Sequence, residues 1–180
     1  VRYVDVLIND VGVWITNRAQ DNLVRDNRFA AQSKHSVFLE RVSGNRIDRN
    51  EIISTAGEGI TLEGASDNFV TNNFLEDNSG GGIGLALTSS GVPGNVGLPS
   101  NNNLIEGNSL YESGGSGIAV EGSSVTLLVG NKLIDNRSHF SNGDGIELDY
   151  ARDMLVMGND VTDNKGGISL SATTHSRLEG

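Results

Sequence analysis

Cysteine is absent from the 180-residue chain, proline occurs only twice, and aromatic side chains make up 5%. No apolar run approaches the roughly 18 residues that span a bilayer as a helix. Without thiols there is no disulfide scaffold, no thiolate zinc site and no cysteine nucleophile. Basic residues are scarce as well: 13 Lys and Arg stand against 23 Asp and Glu, a net charge of −10. That balance excludes a nucleic-acid groove or a lipid-surface patch, and a polyanionic partner would need a bridging cation. The three histidines, at 35, 139 and 175, are too scattered for a local metal motif. Gly-x4-Gly-Lys-Ser/Thr, His-Glu-x-x-His and Gly-x-Ser-x-Gly do not occur, so phosphate-loop, zincin and serine-hydrolase signatures are missing.

What is abundant is asparagine, together with 24 glycines, and both recur in register. A small residue followed by aliphatic, any, aliphatic appears as Gly12-Val-Trp-Ile, Ser36-Val-Phe-Leu, Gly59-Ile-Thr-Leu, Gly82-Ile-Gly-Leu, Gly117-Ile-Ala-Val, Gly145-Ile-Glu-Leu and Gly167-Ile-Ser-Leu. The steps are 24, 23, 23, 35, 28 and 22 residues. A second signature, aliphatic-x-x-Asn-x-apolar, interleaves with it at Asn27, Asn50, Asn73, Asn108, Asn131 and Asn159. Within each repeat the apolar period is two, as in Ile60 in, Thr61 out, Leu62 in, which predicts short strands and not helices. One short strand cannot bury its apolar face alone. Successive repeats must therefore stack, each strand pairing in parallel with its copy one coil later.

Asparagine in one register has a physical reason, because an amide carries both a donor and an acceptor. Copies stacked about 4.8 Å apart can bond to one another and to the turn backbone. A weaker column, Asn22, Asn45, Asn68 and Asn103, is expected to give way to Thr126 and Met154. A leucine-rich repeat has a similar period, but it requires Leu where this chain has Asn22, Asn45, Ala65 and Ser100.

With these motifs the chain resembles the right-handed parallel β-helix proteins of the pectate-lyase-like superfamily over nearly its whole length. The fold implied is an all-β, single-stranded solenoid of about seven coils of 22–24 residues, one domain over 1–180, with an Asn ladder in its tight second turn. The Gly-Ile-x-Leu strands correspond to the superfamily's first sheet. The 35-residue step is read as an insertion at 88–99, after a first-sheet strand, and the 28-residue step as an insertion around 137–142, before one. Val1 begins inside a strand-like stretch, and Gly180 stops one residue short of the next expected ladder position. Both ends are thus expected to continue into a longer chain that carries the caps. The resemblance also implies an extracellular, cell-surface or periplasmic location.

Core columns of a solenoid are structural, so chemistry belongs to outward positions and loops. Glu40, Glu63, Glu121 and Asp149 share one outward column, split by the small Gly84 and Ala86 of the intervening coil. Glu121, Glu147 and Asp149 converge on neighbouring coils, where repulsion raises carboxyl pKa values or recruits a cation, calcium being the one suited to oxygen ligands. The stretch Asp144-Gly-Ile-Glu-Leu-Asp149-Tyr150 resembles a catalytic strand of mannuronan C5-epimerases and β-helix alginate lyases, although their Asp-Pro-His-Glu run is absent. The resemblance implies proton transfer at Glu121, Glu147 and Asp149, completed by His139 or Tyr150. A second cluster, Lys34, His35, Glu40 and Arg41, and two outward rings, Trp14 and Phe38, offer a base and a stacking surface. The only glycosylation sequon is Asn136-Arg-Ser138. Two functions are expected from this set: lyase or epimerase chemistry on an acidic polysaccharide lying along the first sheet, or a non-catalytic glycan-binding or spacer module.

Overall fold

The computed structural model describes residues 1–88 and 97–180, and it contains no helix among them. Three seven-stranded sheets form the walls of a prism, and every pairing within them is parallel. First-sheet strands run from Val11–Ile15 through His35–Glu40, Glu58–Glu63, Gly81–Ala86, Ile118–Glu121 and Asp144–Asp149 to Gly166–Ser171. The second sheet runs from Leu23–Arg25 to Arg177–Glu179 and the third from Asp5–Leu7 to Asp160–Thr162. The expected right-handed parallel β-helix of about seven coils is the fold observed. Each coil sends one aliphatic stack inward from each wall. Val37, Leu39, Ile60, Leu62, Leu85, Ile118 and Val120 on the first wall meet Ile47, Val70 and Ile105, and Phe29, Ile52 and Leu75, from the other two, all nearly or fully buried.

The second turn is tight because each coil places one residue in the left-handed region just before the ladder asparagine. These are Asp26, Arg49, Asn72, Gly107, Asp135 and Gly158, with φ between 51° and 65°. A non-glycine residue there costs roughly 1–2 kcal/mol, and the ladder offsets it. Asn27, Asn50, Asn73, Asn108, Asn136 and Asn159 are linked by side-chain amide bonds of 3.0–3.1 Å. Each also returns a second N–H to a strand carbonyl, as from Asn73 to Ile47 at 3.1 Å.

The fifth coil differs from its expected alignment. Ser109–Tyr111 pairs in register with Arg137–His139, so residues 137–142 are ordinary strand and third turn and hold no insertion. The five extra residues lie earlier, between Ile118–Glu121 and Lys132–Ile134, where Ser123 and Thr126 close a small antiparallel loop. The ladder place given to Asn131 belongs to Asn136. Asn131 continues the other column, Asn22, Asn45, Asn68 and Asn103, in place of Thr126. That column does end at Met154, whose neighbour Leu155 pairs with Lys132. The register also makes Asn136 a buried ladder member, 2% exposed, which rules out its use as a glycan acceptor in the folded chain.

The 35-residue step is confirmed by the pairing of Ile83 with Ile118, and Thr88 and Leu98 close its neck through bonds of 3.0 and 2.9 Å. Most of the insertion expected at 88–99, residues 89–96, lies outside the described residues. Both insertions therefore leave the same turn on adjacent coils, at the C-terminal edge of the first-sheet strands.

Candidate functional site

The outward face of the first sheet reads as three columns. The first holds Val11, His35, Glu58, Gly81, Asp144 and Gly166. The second is Trp14, Phe38, Thr61, Gly84, Ala119, Glu147 and Ser169, and the third ends Glu40, Glu63, Ala86, Glu121, Asp149 and Ser171. Spacing along a strand is three and then two, because two consecutive residues such as Ser36 and Val37 both point inward and are fully buried. This break in alternation brings His35 and Glu58 onto the outer face beside the columns that alternation alone reveals.

The expected acids are placed together. Glu121 lies beside Asp149, and Glu147 one column away on the same strand as Asp149. A depression of about 270 Å³ is lined by Glu58, Glu121 and Glu147 and floored by Gly81, Ile83 and Ala119. Ser116 donates to Glu147 Oε2 at 2.8 Å, while Asp149 Oδ1 is buried with no partner. The Glu121 carboxyl is pushed above the ordinary carboxylate range, first by partial burial against the sheet and then by the charges of Glu147, Glu58 and Asp149. The residue is exposed overall, so solvent screening keeps the energetic effect small.

Glu58 lies across the next coil: a Cβ added to Gly84 would meet its carboxylate at 2.7 Å. Thr61, 3% exposed, donates to Glu58 Oε2 at 2.6 Å and shares a 2.8 Å bond with His35 Nδ1. His35 stacks on Phe38 at 5.1 Å, and Phe38 on Trp14 at 5.9 Å with an interplanar angle of 17°. Burial holds the His35 pKa below its ordinary value; the charge of Glu58 pulls it up less strongly, and that of Lys34 adds to the lowering. A second depression of about 750 Å³ lies over the first turns at the other edge of the face, among Trp14, Arg18, Glu40, Arg41 and Leu98.

The structure does not bring the other two expected residues to the acids. His139 ends a third-sheet strand, bonded to Thr162 at 2.8 Å and lying 3.4 Å from Asp160, with Tyr111 and Phe140 against its ring. It is there because residues 137–142 are strand and turn instead of a loop beside the first sheet. Tyr150 follows the strand of Glu147 and Asp149 and starts the first turn in a left-handed conformation, φ 47°, and among the described residues its hydroxyl makes no hydrogen bond to any of the three acids. Glu58 and Thr61 are the residues that sequence reasoning passed over as chemical groups. The signal for Glu58 was the column one step ahead of each recurring small residue, which also holds His35, while Thr61 stood in the outward column of Trp14 and Phe38.

Residues 3–96 match the family model described as periplasmic copper-binding protein (NosD), and residues 96–180 the one described as right handed beta helix region. Among curated proteins none matches the chain. Of solved structures, one of the periplasmic alginate epimerase AlgG is similar with a TM-score of 0.74 and 15% identity, over 97% of this chain and 48% of that one. A second AlgG structure gives 0.71 and 19%, over 85% and 33%. The surface adhesin PfbA of Streptococcus pneumoniae gives 0.64 and 11%, over 89% and 51%. This chain thus spans a third to a half of these three structures, and at these identities the likeness is one of fold.

The donor chemistry of the chain does not fit copper. Copper sites draw on thiolate, thioether and imidazole groups. Here there is no cysteine, Met154 is buried in the core, Met157 is half-buried on the second sheet, and His35, His139 and His175 stand on the first sheet, on the third sheet and in a turn. Among the described residues no three His, Asp or Glu side chains are set to share one metal ion. By its first half the chain belongs to the NosD family, and by its fold to the right-handed parallel β-helix proteins.

Proposed function

We propose that the outward face of the first sheet binds and processes an acidic polysaccharide, by elimination or by epimerisation at the carbon beside the uronate carboxylate. One observation carries this reading: carboxyl groups and aromatic rings share a face whose middle coil is stripped to Gly81, Gly84 and Ala86. Carboxyls bond sugar hydroxyls, flat rings stack on sugar C–H faces, and a floor without side chains lets a chain of rings lie close. Glu121, whose raised pKa biases its carboxyl toward the protonated form, can donate to a sugar oxygen lying over its own coil. Glu147 and Asp149 would each lend an oxygen to a calcium ion whose shell the glycan completes, and that ion would supply the positive charge a uronate needs on this face. The NosD family description and the PfbA and AlgG names support a periplasmic or cell-surface location.

A binding-only reading is favoured by the outward Gly84, Ala86, Ser169 and Ser171, which offer contact without chemistry. Both are tested by titrating alginate, pectate and a neutral glucan with and without calcium, while following the ultraviolet absorbance of unsaturated product and the anomeric NMR signals. Calcium-dependent binding with turnover, abolished in Glu121→Gln, is expected. Binding without turnover selects the second reading, and binding to none of the three glycans overturns both.

A further inference from the structure

The hydrogen bonds around Thr61 decide a question that its position alone leaves open. Its hydroxyl has one hydrogen and two neighbours, Glu58 Oε2 at 2.6 Å and His35 Nδ1 at 2.8 Å. A carboxylate only accepts, so the hydroxyl hydrogen goes to Glu58 and the bond to His35 must be filled by a hydrogen on Nδ1. Neutral His35 is then the Nδ1–H tautomer, and its free lone pair sits on Nε2. Among the described residues Nε2 has no protein partner, and it is not sealed from solvent. The ring is clamped by Phe38 on the same strand. The charged groups about it are Glu58 on the next coil and Lys34 before its own strand, the latter lying 3.3 Å from Asp10 on the preceding coil.

From this geometry we infer that His35 Nε2 is the proton acceptor of the first-sheet face, with Thr61 and Glu58 as positioning residues that fix its tautomer. The inference rests on the polysaccharide reading for what is deprotonated, namely the carbon beside a uronate carboxylate. The proton passes from that carbon to Nε2, and the freed electron pair is held as the carboxylate-stabilised enolate. The pair then either expels the neighbouring glycosidic oxygen, which takes up the proton held on Nε2, or receives a proton from water on the opposite face, the Nε2 proton passing to the hydroxide left behind. Protonation at Nε2 breaks none of the existing bonds: Nδ1–H still donates to Thr61, and Thr61 still donates to Glu58. The imidazolium forms with its counter-charge already two bonds away, so little reorganisation accompanies the step. His139 also has a threonine and an acid beside it, but Thr162 lies against both ring nitrogens, at 3.2 and 2.8 Å, and Asp160 is 3.4 Å from Nε2, so neither nitrogen is left open to accept a proton.

The test reads the tautomer without a glycan. In protein labelled with 15N-histidine, the nitrogen shifts of His35 at neutral pH should report hydrogen on Nδ1 in the wild type and in Thr61→Ser. They should move toward Nε2–H in Thr61→Val and Glu58→Gln, with the histidine pKa falling further in Glu58→Gln. With a polyuronate that is turned over, Thr61→Val should lose at least tenfold in rate, Thr61→Ser should recover most of it, and His35→Gln should be inactive at an unchanged melting temperature. Hydrogen on Nε2 in the wild type, or full turnover by His35→Gln, overturns the inference. Should no polyuronate bind at all, the polysaccharide reading fails and with it the catalytic role, while the nitrogen shifts still judge the clamp by itself.

Discussion

Inside the prism Asn27, Asn50, Asn73, Asn108, Asn136 and Asn159 stand in one unbroken column, whereas the outward acid column Glu40, Glu63 is cut by Ala86 before it resumes at Glu121 and Asp149. Both columns repeat like side chains at the coil spacing, about 4.8 Å. An amide is complementary to its own copy, so each added asparagine satisfies the one before it. A carboxylate is not, and each added copy raises the repulsion. Stacking is thus a source of stability for one group and a source of reactivity for the other, and the small side chains of the fourth coil keep the acid column in short pieces.

Converting one chemistry into the other should break the comparison most forcefully at Asn73. Its Oδ1 accepts from the backbone and side chain of Asn50 at 2.9 and 3.0 Å, and its Nδ2 donates to Asn108 and Ile47. Asn73→Asp sets an acceptor against two acceptors in a buried place, and urea unfolding should show a loss of about 3–5 kcal/mol. A loss under about 1 kcal/mol would mean that the ladder is not holding the turn.

Next in size is a carboxylate that has been given partners. Asp48 is 2% exposed on the second sheet; burial by itself pushes its pKa up, but hydrogen bonds from Thr71 and Asn72 and the charges of Arg46 and Arg25 hold it below 3.8. A depressed pKa contributes stability that is present above the unfolded value and fades as pH falls through the folded one. Asp48→Asn should therefore cost about 1–3 kcal/mol at neutral pH and flatten the decline of the melting temperature below pH 3.8.

Glycines sharpen the contrast between inside and outside. A Cβ on Gly117 meets Gly145 O at 2.7 Å, a backbone atom, whereas on Gly84 it meets only the movable end of Glu58. Gly117→Ala should lose about 1–3 kcal/mol; Gly84→Ala should change stability by less than about 1 kcal/mol while weakening glycan binding, as calorimetry would show. Equal losses of stability would remove the distinction.

The smallest effect carries the opposite sign. Because the Glu121 pKa is raised in the folded state, its ionised form is disfavoured at neutral pH, and the penalty disappears as pH falls through the folded pKa toward 4.5. Glu121→Gln should raise neutral-pH stability by less than about 1 kcal/mol, an exposed group being screened. The difference from wild type should vanish in melts below pH 4.5. A destabilised Glu121→Gln would show that the carboxylate is held by a bond and not strained by its neighbours.

The fold was legible because period-two apolar columns leave few alternatives, but one coil was read out of register for a definite reason. Asn131 and Asn136 belong to two ladders five residues apart, and the insertion in that coil is also five residues long. Sliding the coil by five lays one ladder on the other, and Leu128-x-x-Asn131-x-Leu133 then satisfies the corner signature. The true alignment puts Ser138 where the other coils have Leu110 and Val161, inside the prism, bonded to Asn164 and Ser141. The displaced insertion is also what set His139 beside the first sheet. Glu121, Glu147 and Asp149 were found by counting alternate residues; His35 was singled out with Lys34, Glu40 and Arg41, but its neighbour Glu58 lay beyond the paired inward residues at which alternation stops.

Composition and periodicity by themselves determined the strands, their parallel stacking, the asparagine ladder and the outward placement of three acids, because each follows from side chains one or two residues apart or one coil apart. Only the tertiary structure decided which ladder Asn131 joins, which edge both insertions leave, and that Thr61 stands between His35 and Glu58. Those depend on hydrogen bonds across coils 23 to 28 residues apart, where two registers bury nearly the same apolar surface and only the pairing of polar atoms tells them apart.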